Sequence, residues 1–272
     1  MKNIVAVGMA ILFFVGAFAQ QNDTMLLRKL KVTEIEKFQR VHALLGTNDT
    51  CLMEYKKLNK YGLDTFLFTD FGCSGYKQKN VVRSQYNERK VIRQFFEQNG
   101  KKYGEVTYKY NGKTDVLSSK TAIEATSGKE TVTTYTYYKK KRAKLVDSTR
   151  ITVKNEETTN IFLTRNTYDK KKRLVSSTTE DGTGQKIQET VNIRGADGKI
   201  ESTANATFME KPTFVQTFYK YDQEGRVVET NDTHNRQNIF LYTTDGLLSN
   251  IMGYNAKGEL EVEFIYKYTF GK

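Results

Sequence analysis

Apolar and polar residues alternate along most of the chain from about residue 80 onward. In the C-terminal segment, Val262, Phe264, Tyr266, Tyr268 and Phe270 fall on one face, and mostly polar residues fall on the other. Successive side chains of a strand point to opposite faces, so this pattern predicts a strand with one covered face. Similar segments recur between Asp-Gly, Asn-Gly and lysine-rich turns, which is typical of consecutive antiparallel hairpins. The pattern predicts a mainly β protein built as an elongated antiparallel meander, an open or curled sheet of stacked hairpin repeats.

The segment 24–75 has a different pattern. Thr33-Glu34-Ile35-Glu36 matches a helix capping box. Ile35, Phe38, Val41 and Leu45 then follow at helical spacing, and Gly46 is a C-terminal stop signal. We therefore expect an amphipathic helix over about 34–45 that caps one end of the sheet. His42 lies beside its apolar face and is interpreted as structural, because no second metal ligand is near. For residues 51–71 we expect a short strand or helix whose apolar side chains pack in the core.

The first 19 residues resemble neither region. Lys2 precedes an apolar run from Ile4 to Gly16, and Ala17-Phe18-Ala19 ends it. This order is that of a cleaved secretory signal peptide, and the apolar run is too short to span a bilayer comfortably. We therefore expect an exported protein, periplasmic or extracellular, without a transmembrane helix. The expected domains are a signal peptide at 1–19, an N-terminal helical cap region at 20–79 and a repeat domain at 80–272.

Export places the two cysteines of the chain in an oxidising compartment. Cys51 and Cys73 are there a candidate disulfide, which would close a short loop and stabilise the fold by roughly 3 kcal/mol. Spacing alone leaves two buried free thiols as the alternative.

A longer repeat is superimposed on the strand pattern. A tyrosine, a polar turn and an aliphatic residue or pair return near residues 86, 110, 138, 168, 194, 221 and 242. The clearest copy is Tyr221-Asp-Gln-Glu-Gly-Arg-Val-Val228, followed by Tyr168-Asp-Lys-Lys-Lys-Arg-Leu-Val175. Such periodicity indicates stacked supersecondary units, each of which needs its neighbours to cover its apolar face.

These copies resemble the YD (Rhs-type) repeat of secreted bacterial proteins, Tyr-Asp-x-x-Gly-Arg-Leu followed by a strand, over roughly residues 80–272. The resemblance implies β-hairpins laid side by side in a long sheet that can wind into a shell. Large members of that family end in a toxin domain or a self-cleaving core. The last repeat here runs almost to Lys272, so the toxin-cage role is not carried over.

Charge adds a possible partner to this architecture. Lysine and arginine number 43 against 31 aspartates and glutamates. If every strand reverses direction, the turns near 139–142, 169–172, 195–198, 222–225 and 244–246 share one edge of the sheet. A candidate polyanion patch therefore consists of Lys139, Lys140, Lys141 and Arg142 together with Lys170, Lys171, Lys172 and Arg173. Such a patch attracts anionic polymers, although charged turns also serve simply to keep a sheet soluble.

Catalytic motifs are weak or absent. Gly72-Cys73-Ser74-Gly75 lacks the G-x-S-x-G spacing, and two distant histidines disfavour a zinc centre. We therefore expect a non-enzymatic binding or scaffolding protein of the bacterial cell envelope without a cofactor. The expected partner is an anionic polysaccharide or an envelope protein, rather than a specific nucleic acid. Two alternatives stay open: a curved-sheet carrier of a lipid or other apolar ligand, and a small outer-membrane β-barrel.

Overall fold

A computed structural model describes residues 24–41, 50–72, 77–112, 116–138 and 145–271. Within these ranges one short helix, α1 at 24–29, precedes a sheet of 18 strands. In chain order the strands are β1 Val32–Val41, β2 Thr50–Leu58, β3 Asp64–Asp70, β4 Lys79–Asn87, β5 Lys90–Gln98, β6 Lys101–Tyr110, β7 Leu117–Glu124, β8 Glu130–Tyr137, β9 Val146–Lys154, β10 Thr159–Tyr168, β11 Leu174–Asp181, β12 Lys186–Arg194, β13 Ile200–Thr207, β14 Thr213–Tyr221, β15 Val227–Asp232, β16 Gln237–Tyr242, β17 Leu248–Tyr254 and β18 Leu260–Phe270.

The strands form a closed ring. Each strand pairs antiparallel with the next one along the chain, and β1 also pairs with β18. Glu36 of β1, for example, lies opposite Tyr55 of β2 on one side and Lys267 of β18 on the other. A ring of this kind has no free edge strand, so every backbone ladder has a partner. The molecule is therefore a closed antiparallel β-barrel.

Closure overturns the expected open or curled meander, which is wrong. The antiparallel hairpin order was predicted correctly, but alternation and turn signals report only neighbours along the chain. The pairing of β1 with β18 joins the two ends of the sheet, and no local pattern marks it. The residues assigned to a separate cap region contribute α1 and strands β1–β3 to the same barrel.

The predicted helix over 34–45 is also wrong. Residues Val32–Val41 form β1, and residues 42–49, including His42, lie outside the described residues. Ile35 and Phe38 match helical spacing, yet the same segment also alternates, with Ile35, Lys37 and Gln39 on one face. Pairing with β2 and β18 on both sides satisfies its backbone groups. These distant ladders override a local capping signal.

The repeat turns share one geometry. In the clearest copy, the Asp222 N–H donates to the Arg226 carbonyl at 2.9 Å, and the Gly225 N–H donates back to the Asp222 carbonyl at 3.1 Å. The fourth position has a positive φ, 83° at Gly225, which glycine adopts without a Cβ penalty. The same bonding pattern recurs at 59–63, 169–173, 181–185, 195–199, 232–236, 243–247 and 255–259. This shared turn explains why the repeat is visible in the sequence.

Because the strands alternate in direction, the turns divide between the two ends of the barrel. Turns 59–63, 169–173, 195–199, 222–226 and 243–247 lie at one end, and turns 181–185, 232–236 and 255–259 lie at the other. Helix α1 lies at the first end: a Cβ on Gly62 would meet the Thr24 carbonyl oxygen at 3.0 Å, and one on Gly246 would meet Leu26 at 3.6 Å. We call these the α1 end and the opposite end.

The packed core is small and lies beside α1. Among the described residues, the buried apolar side chains are Leu27, Val32 and Leu247. The partly buried apolar residues packed against them are Leu26, Leu30, Ile35, Leu58 and Tyr268. Away from α1, the inward side chains of the barrel therefore line a space and do not meet in a continuous core.

Candidate binding site on the inner face of the barrel

Strand alternation and register divide the barrel residues into two faces. Ile35 of β1, Leu58 of β2 and Tyr268 of β18 share one face and pack against the core beside α1. The other face carries large apolar side chains that stay exposed, such as Phe214, 56% exposed, and Phe218, 48% exposed. Side chains converge inside a barrel and diverge outside it. The face of Ile35 is therefore the inner face, and the face of Phe218 is the outer face.

A row of tyrosines circles the inner face near the α1 end. Each tyrosine lies at or near the end of a strand, and its hydroxyl donates to a backbone carbonyl at the start of the preceding strand. The pairs are Tyr86 to Asp64 at 2.8 Å, Tyr110 to Val91 at 2.9 Å, Tyr137 to Leu117 at 2.6 Å, Tyr168 to Val146 at 3.0 Å, Tyr221 to Ile200 at 2.9 Å, Tyr242 to Val227 at 2.8 Å and Tyr268 to Leu248 at 2.7 Å. We call this the tyrosine belt. It gives the repeat tyrosine a role: each one ties two strands together while its ring lines the interior.

Further from the α1 end, the inner face carries polar and aromatic side chains. Thr190 on β12 donates to Asn205 on β13 at 2.8 Å, and Thr203 donates to Asn192 at 3.0 Å. By register, the other aromatic side chains of this face are Phe96, Tyr108, Tyr135, Phe162, Tyr219, Phe240, Phe264 and Tyr266. The inner face therefore combines aromatic rings with hydroxyl and amide groups.

The inner face also carries ionisable groups whose pKa values are shifted by burial. Burial lowers the pKa of Lys120, and burial raises the pKa of Tyr108, its cross-strand neighbour, to about 12. Burial also lowers the pKa of Lys37, whose Nζ lies 4.1 Å from the centre of the Phe264 ring. In each case the largest cause is burial of the side chain among its inner-face neighbours, and for Lys37 the charge of Glu54 acts in the opposite direction.

The outer face is crossed by ion pairs between neighbouring strands. Arg40 of β1 lies 3.0 Å from Glu263 of β18, and Arg93 of β5 lies 2.7 Å from Glu105 of β6. Further pairs on this face are Arg83–Glu97, Arg165–Glu180 and Lys220–Glu229. Each pair adds at most about 1 kcal/mol, so their main consequence is a mixed exterior in which charged pairs lie among exposed apolar side chains such as Phe214 and Phe218.

Two strands present mainly polar side chains outward. Beyond the register shifts at Val146 and Leu174, the outer positions of β9 are Ser148, Arg150, Thr152 and Lys154, and those of β11 are Ser176, Thr178 and Glu180. A barrel in contact with lipid needs an outward apolar band on every strand. Strands β9 and β11 interrupt such a band. Among the described residues, no helix combines the length and the apolar character needed to cross a membrane.

The predicted site residues are placed as follows. Lys170, Lys171 and Lys172 are exposed in the turn between β10 and β11 at the α1 end. Arg173 is half-buried and is held by Asp169, with its Nε 2.7 Å from the carboxylate. The other half of the polyanion patch, 139–142, lies outside the described residues, as does the signal peptide at 1–19. The patch therefore stays a prediction, with Arg173 occupied by its own turn.

The Cys51–Cys73 disulfide also stays a prediction. Cys51 lies on β2. Cys73 is the other cysteine of the chain, and it lies outside the described residues. In the described part of the chain, no group of three or more His, Cys, Asp or Glu side chains is arranged to hold a metal ion.

The interior lining was not singled out from the sequence. The repeat tyrosines were recognised as packing residues, but their convergence on one closed surface depends on the ring. The sequence does contain one indication of this surface. The repeat that begins at residue 194 starts with arginine, whereas the other clear repeats start with tyrosine. Arg194 occupies the belt position on β12, and its Nη2 approaches the Leu174 carbonyl at 3.5 Å.

The fold and its lining define the class of the molecule as a closed antiparallel β-barrel with an aromatic and polar interior. No protein-family model matches the chain, and no curated protein sequence matches it. A porin-like protein from Bacteroides uniformis ATCC 8492 has a TM-score of 0.46 and 7% identity, over 88% of this chain and 98% of that one. A porin-like protein from Bacteroides vulgatus ATCC 8482 has a TM-score of 0.32 and 11% identity, with the same coverage.

Another solved structure is similar to this chain, but the similarity covers only a small part of that protein. The crystal structure of TcdB2-TccC3-Cdc42 has a TM-score of 0.36 and 11% identity, over 76% of this chain and 13% of that one. This chain thus spans about 13% of the length of that protein. At these scores and identities, function has to be inferred from the residues of this barrel.

Proposed function

We propose that the protein is a non-enzymatic, exported barrel of the bacterial cell envelope that binds its ligand on the inner face. The observation that carries the proposal is the contrast between the two faces. The inner face combines aromatic rings with hydroxyl and amide groups around a space without a continuous core, whereas the outer face carries cross-strand ion pairs. Binding sites typically pair apolar walls with a few placed polar groups.

A polyhydroxylated ligand, such as a glycan, fits this lining better than an apolar lipid. Sugar rings stack on aromatic side chains through their apolar faces and exchange hydrogen bonds with hydroxyl and amide groups. The inner face offers both kinds of group on neighbouring strands: Tyr219 lies opposite Thr230 of β15, whose hydroxyl accepts from Asn238 of β16 at 3.2 Å. These groups bond one another, but each amide and hydroxyl has further hydrogen-bonding capacity, which a lipid chain would remove from water and a glycan would fill.

The outer-membrane barrel is the second candidate, and the closed ring is the observation that favours it. Outer-membrane barrels are closed, antiparallel and commonly built from an even number of strands, as here. The outer positions of β9 and β11 favour water outside the barrel instead. The two candidates therefore share an architecture and differ in what surrounds it.

Fractionation of expressing cells separates the two candidates. With water outside the barrel, we expect the protein in the soluble periplasmic fraction or the medium after osmotic shock, without detergent. The measurement is an immunoblot of the fractions beside a soluble periplasmic marker and an outer-membrane marker. Recovery in the membrane pellet after a carbonate wash, with release by detergent alone, would show that lipid surrounds the barrel.

Ligand binding on the inner face is tested by two adjacent residues of β14. Tyr219 points inward and Phe218 points outward, where it is 48% exposed. We expect Tyr219→Ala to weaken polysaccharide retention at least about fivefold, because aromatic stacking is lost from the lining. Phe218→Ala is the matched control and should leave retention unchanged. Affinity electrophoresis in gels containing polygalacturonate or dextran measures both variants.

Two results in that experiment would contradict binding on the inner face. One is an equal loss of retention in both variants, and the other is a loss confined to Phe218→Ala. A third variant, Lys170→Gln/Lys171→Gln/Lys172→Gln, tests the exposed basic turn separately. If this triple variant alone abolishes retention by polygalacturonate, the ligand is held by the turns at the α1 end and not by the interior.

A further inference from the structure

One position of the tyrosine belt is occupied by an arginine and not by a tyrosine. Arg194, at the end of β12, stands where the neighbouring repeats have Tyr168 and Tyr221. Its Nη2 lies 3.5 Å from the Leu174 carbonyl, the acceptor that a belt tyrosine would use, and its Nη1 donates to the Gly198 carbonyl at 3.1 Å. Its Nε is buried and has no hydrogen-bond partner. A buried guanidinium nitrogen without an acceptor is costly.

The surroundings of Arg194 hold more donors than acceptors. The Gly198 carbonyl also accepts from Nη1 of Arg173 at 3.1 Å, and the Leu174 carbonyl also accepts from Nδ2 of Asn192 at 3.3 Å. Two carbonyl oxygens therefore serve four donors.

The Val146 carbonyl at the Tyr168 position also accepts from two side chains, Tyr168 and Asn166, but neither of them is charged. What distinguishes the Arg194 position is that two guanidinium groups converge on its carbonyls and that one of their N–H groups has no acceptor.

The charge of Arg194 is also poorly compensated. The carboxylate of Asp169 bonds Arg173 at 2.7 Å, and among the described residues no carboxylate forms an ion pair with Arg194 within 4.0 Å. Burial, followed by the charge of Arg173, lowers the pKa of Arg194, while Asp169 and Tyr221 act in the opposite direction. Arg226 offers a contrast, because its guanidinium contacts Asp222 at 2.6 Å and Glu224 at 3.0 Å.

We propose that Arg194, with Arg173 beside it, forms an oxyanion-binding site on the inner face at the α1 end. The oxyanion is a carboxylate or sulfate group carried by the ligand. It offsets two neighbouring positive charges, and a guanidinium suits such planar, bidentate recognition. The oxyanion accepts from Nε once the Arg194 side chain turns away from the carbonyls it shares with Arg173 and Asn192. The inference rests on the proposed entry of a ligand into the barrel, and it narrows that ligand to an acidic one.

Calorimetric titration of the full-length protein tests the site with three probes: sodium sulfate, glucuronate and glucose at constant ionic strength. We expect saturable binding of sulfate, glucuronate or both, and Arg194→Gln should weaken it at least about tenfold. Binding of sulfate alone identifies a sulfate ester as the group on the ligand, and binding of glucuronate alone identifies a carboxylate.

Two further variants keep the result independent of folding. Arg194→Tyr restores the belt residue of the other repeats, so we expect it to retain the thermal stability of the parent and to lose oxyanion binding. Arg150→Gln removes an exposed arginine from the outer face of β9 and should leave binding unchanged. The proposal is overturned if the parent shows no saturable oxyanion binding, or if Arg150→Gln weakens binding as much as Arg194→Gln.

The same measurements distinguish this site from the proposed function. If oxyanion binding fails while Tyr219→Ala still weakens polysaccharide retention, the inner face binds a neutral ligand and the Arg194 site is wrong. If oxyanion binding depends on Arg194 while no polysaccharide is retained, the site stands and the glycan proposal is wrong.

Discussion

Replacing Leu247 with aspartate should strongly destabilise the barrel. Leu247 lies at the turn between β16 and β17 and is 2% exposed, in contact with the core beside α1. An aspartate there would place a carboxylate among leucine side chains with no partner for its charge. We expect the free energy of unfolding to fall by at least about 3 kcal/mol, and α1 to detach from the barrel.

The matched control is Leu241→Asp in the same hairpin. Leu241 lies on the outer face of β16 and is 43% exposed, so its replacement should cost less than about 1 kcal/mol. Urea unfolding followed by circular dichroism measures both variants, and limited proteolysis reports whether the segment around 24–29 becomes accessible. Similar losses in the two variants would contradict the assignment of inner and outer faces.

The second large effect is expected at Gly104 on the inner face of β6. A Cβ at this position would lie 2.6 Å from the carbonyl oxygen of Ile123 on β7, closer than such atoms pack. The obstructing atom belongs to a backbone ladder, so a side chain cannot move aside to relieve the contact. We expect Gly104→Ala to lower the free energy of unfolding by about 1–3 kcal/mol, because β6 and β7 must separate locally.

Gly112 supplies the control for that substitution. It is exposed in the turn after β6, and a Cβ there would meet no atom within 4 Å. Gly112→Ala should therefore change the free energy of unfolding by less than about 0.5 kcal/mol. Thermal or urea unfolding of both variants checks the pair. A neutral Gly104→Ala would mean that β6 and β7 are not packed in the register described.

Local structure was largely predictable from sequence, because it is encoded by neighbours along the chain. The alternation of Val262, Phe264, Tyr266 and Tyr268 correctly predicted a strand with one covered face, although Phe270, assigned to the same face, is 52% exposed at the end of the strand. The Asp222-to-Arg226 turn was predicted from Gly225, and the structure gives that glycine the positive φ such a turn requires. In both cases the side chains involved lie within a few residues of one another.

Ring closure was not predictable in the same way. Whether β18 finds a new partner or ends a sheet depends on its contact with β1, at the far end of the chain. The same contact converts the segment around Ile35 from an amphipathic helix candidate into a strand with two neighbours. The Arg194 site does not depend on closure, because the turns after β10 and β12 are neighbours in any antiparallel meander. It depends on side-chain positions around Arg194 and Arg173 that no local sequence pattern gives.

The distance between β1 and β18 decides whether the barrel is closed. Spin labels are introduced as Glu36→Cys and Lys267→Cys, which are paired on the outer face, in a Cys51→Ser/Cys73→Ser background. Glu36→Cys with Tyr55→Cys is the control, because β1 and β2 are neighbours in an open or a closed sheet. Pulsed electron resonance should give a similarly short distance for both pairs, one strand spacing of about 4.8 Å plus the label arms. A flat open sheet would place β1 and β18 roughly 80 Å apart, as 17 strand spacings, and any separation of many strand spacings would contradict the closed barrel.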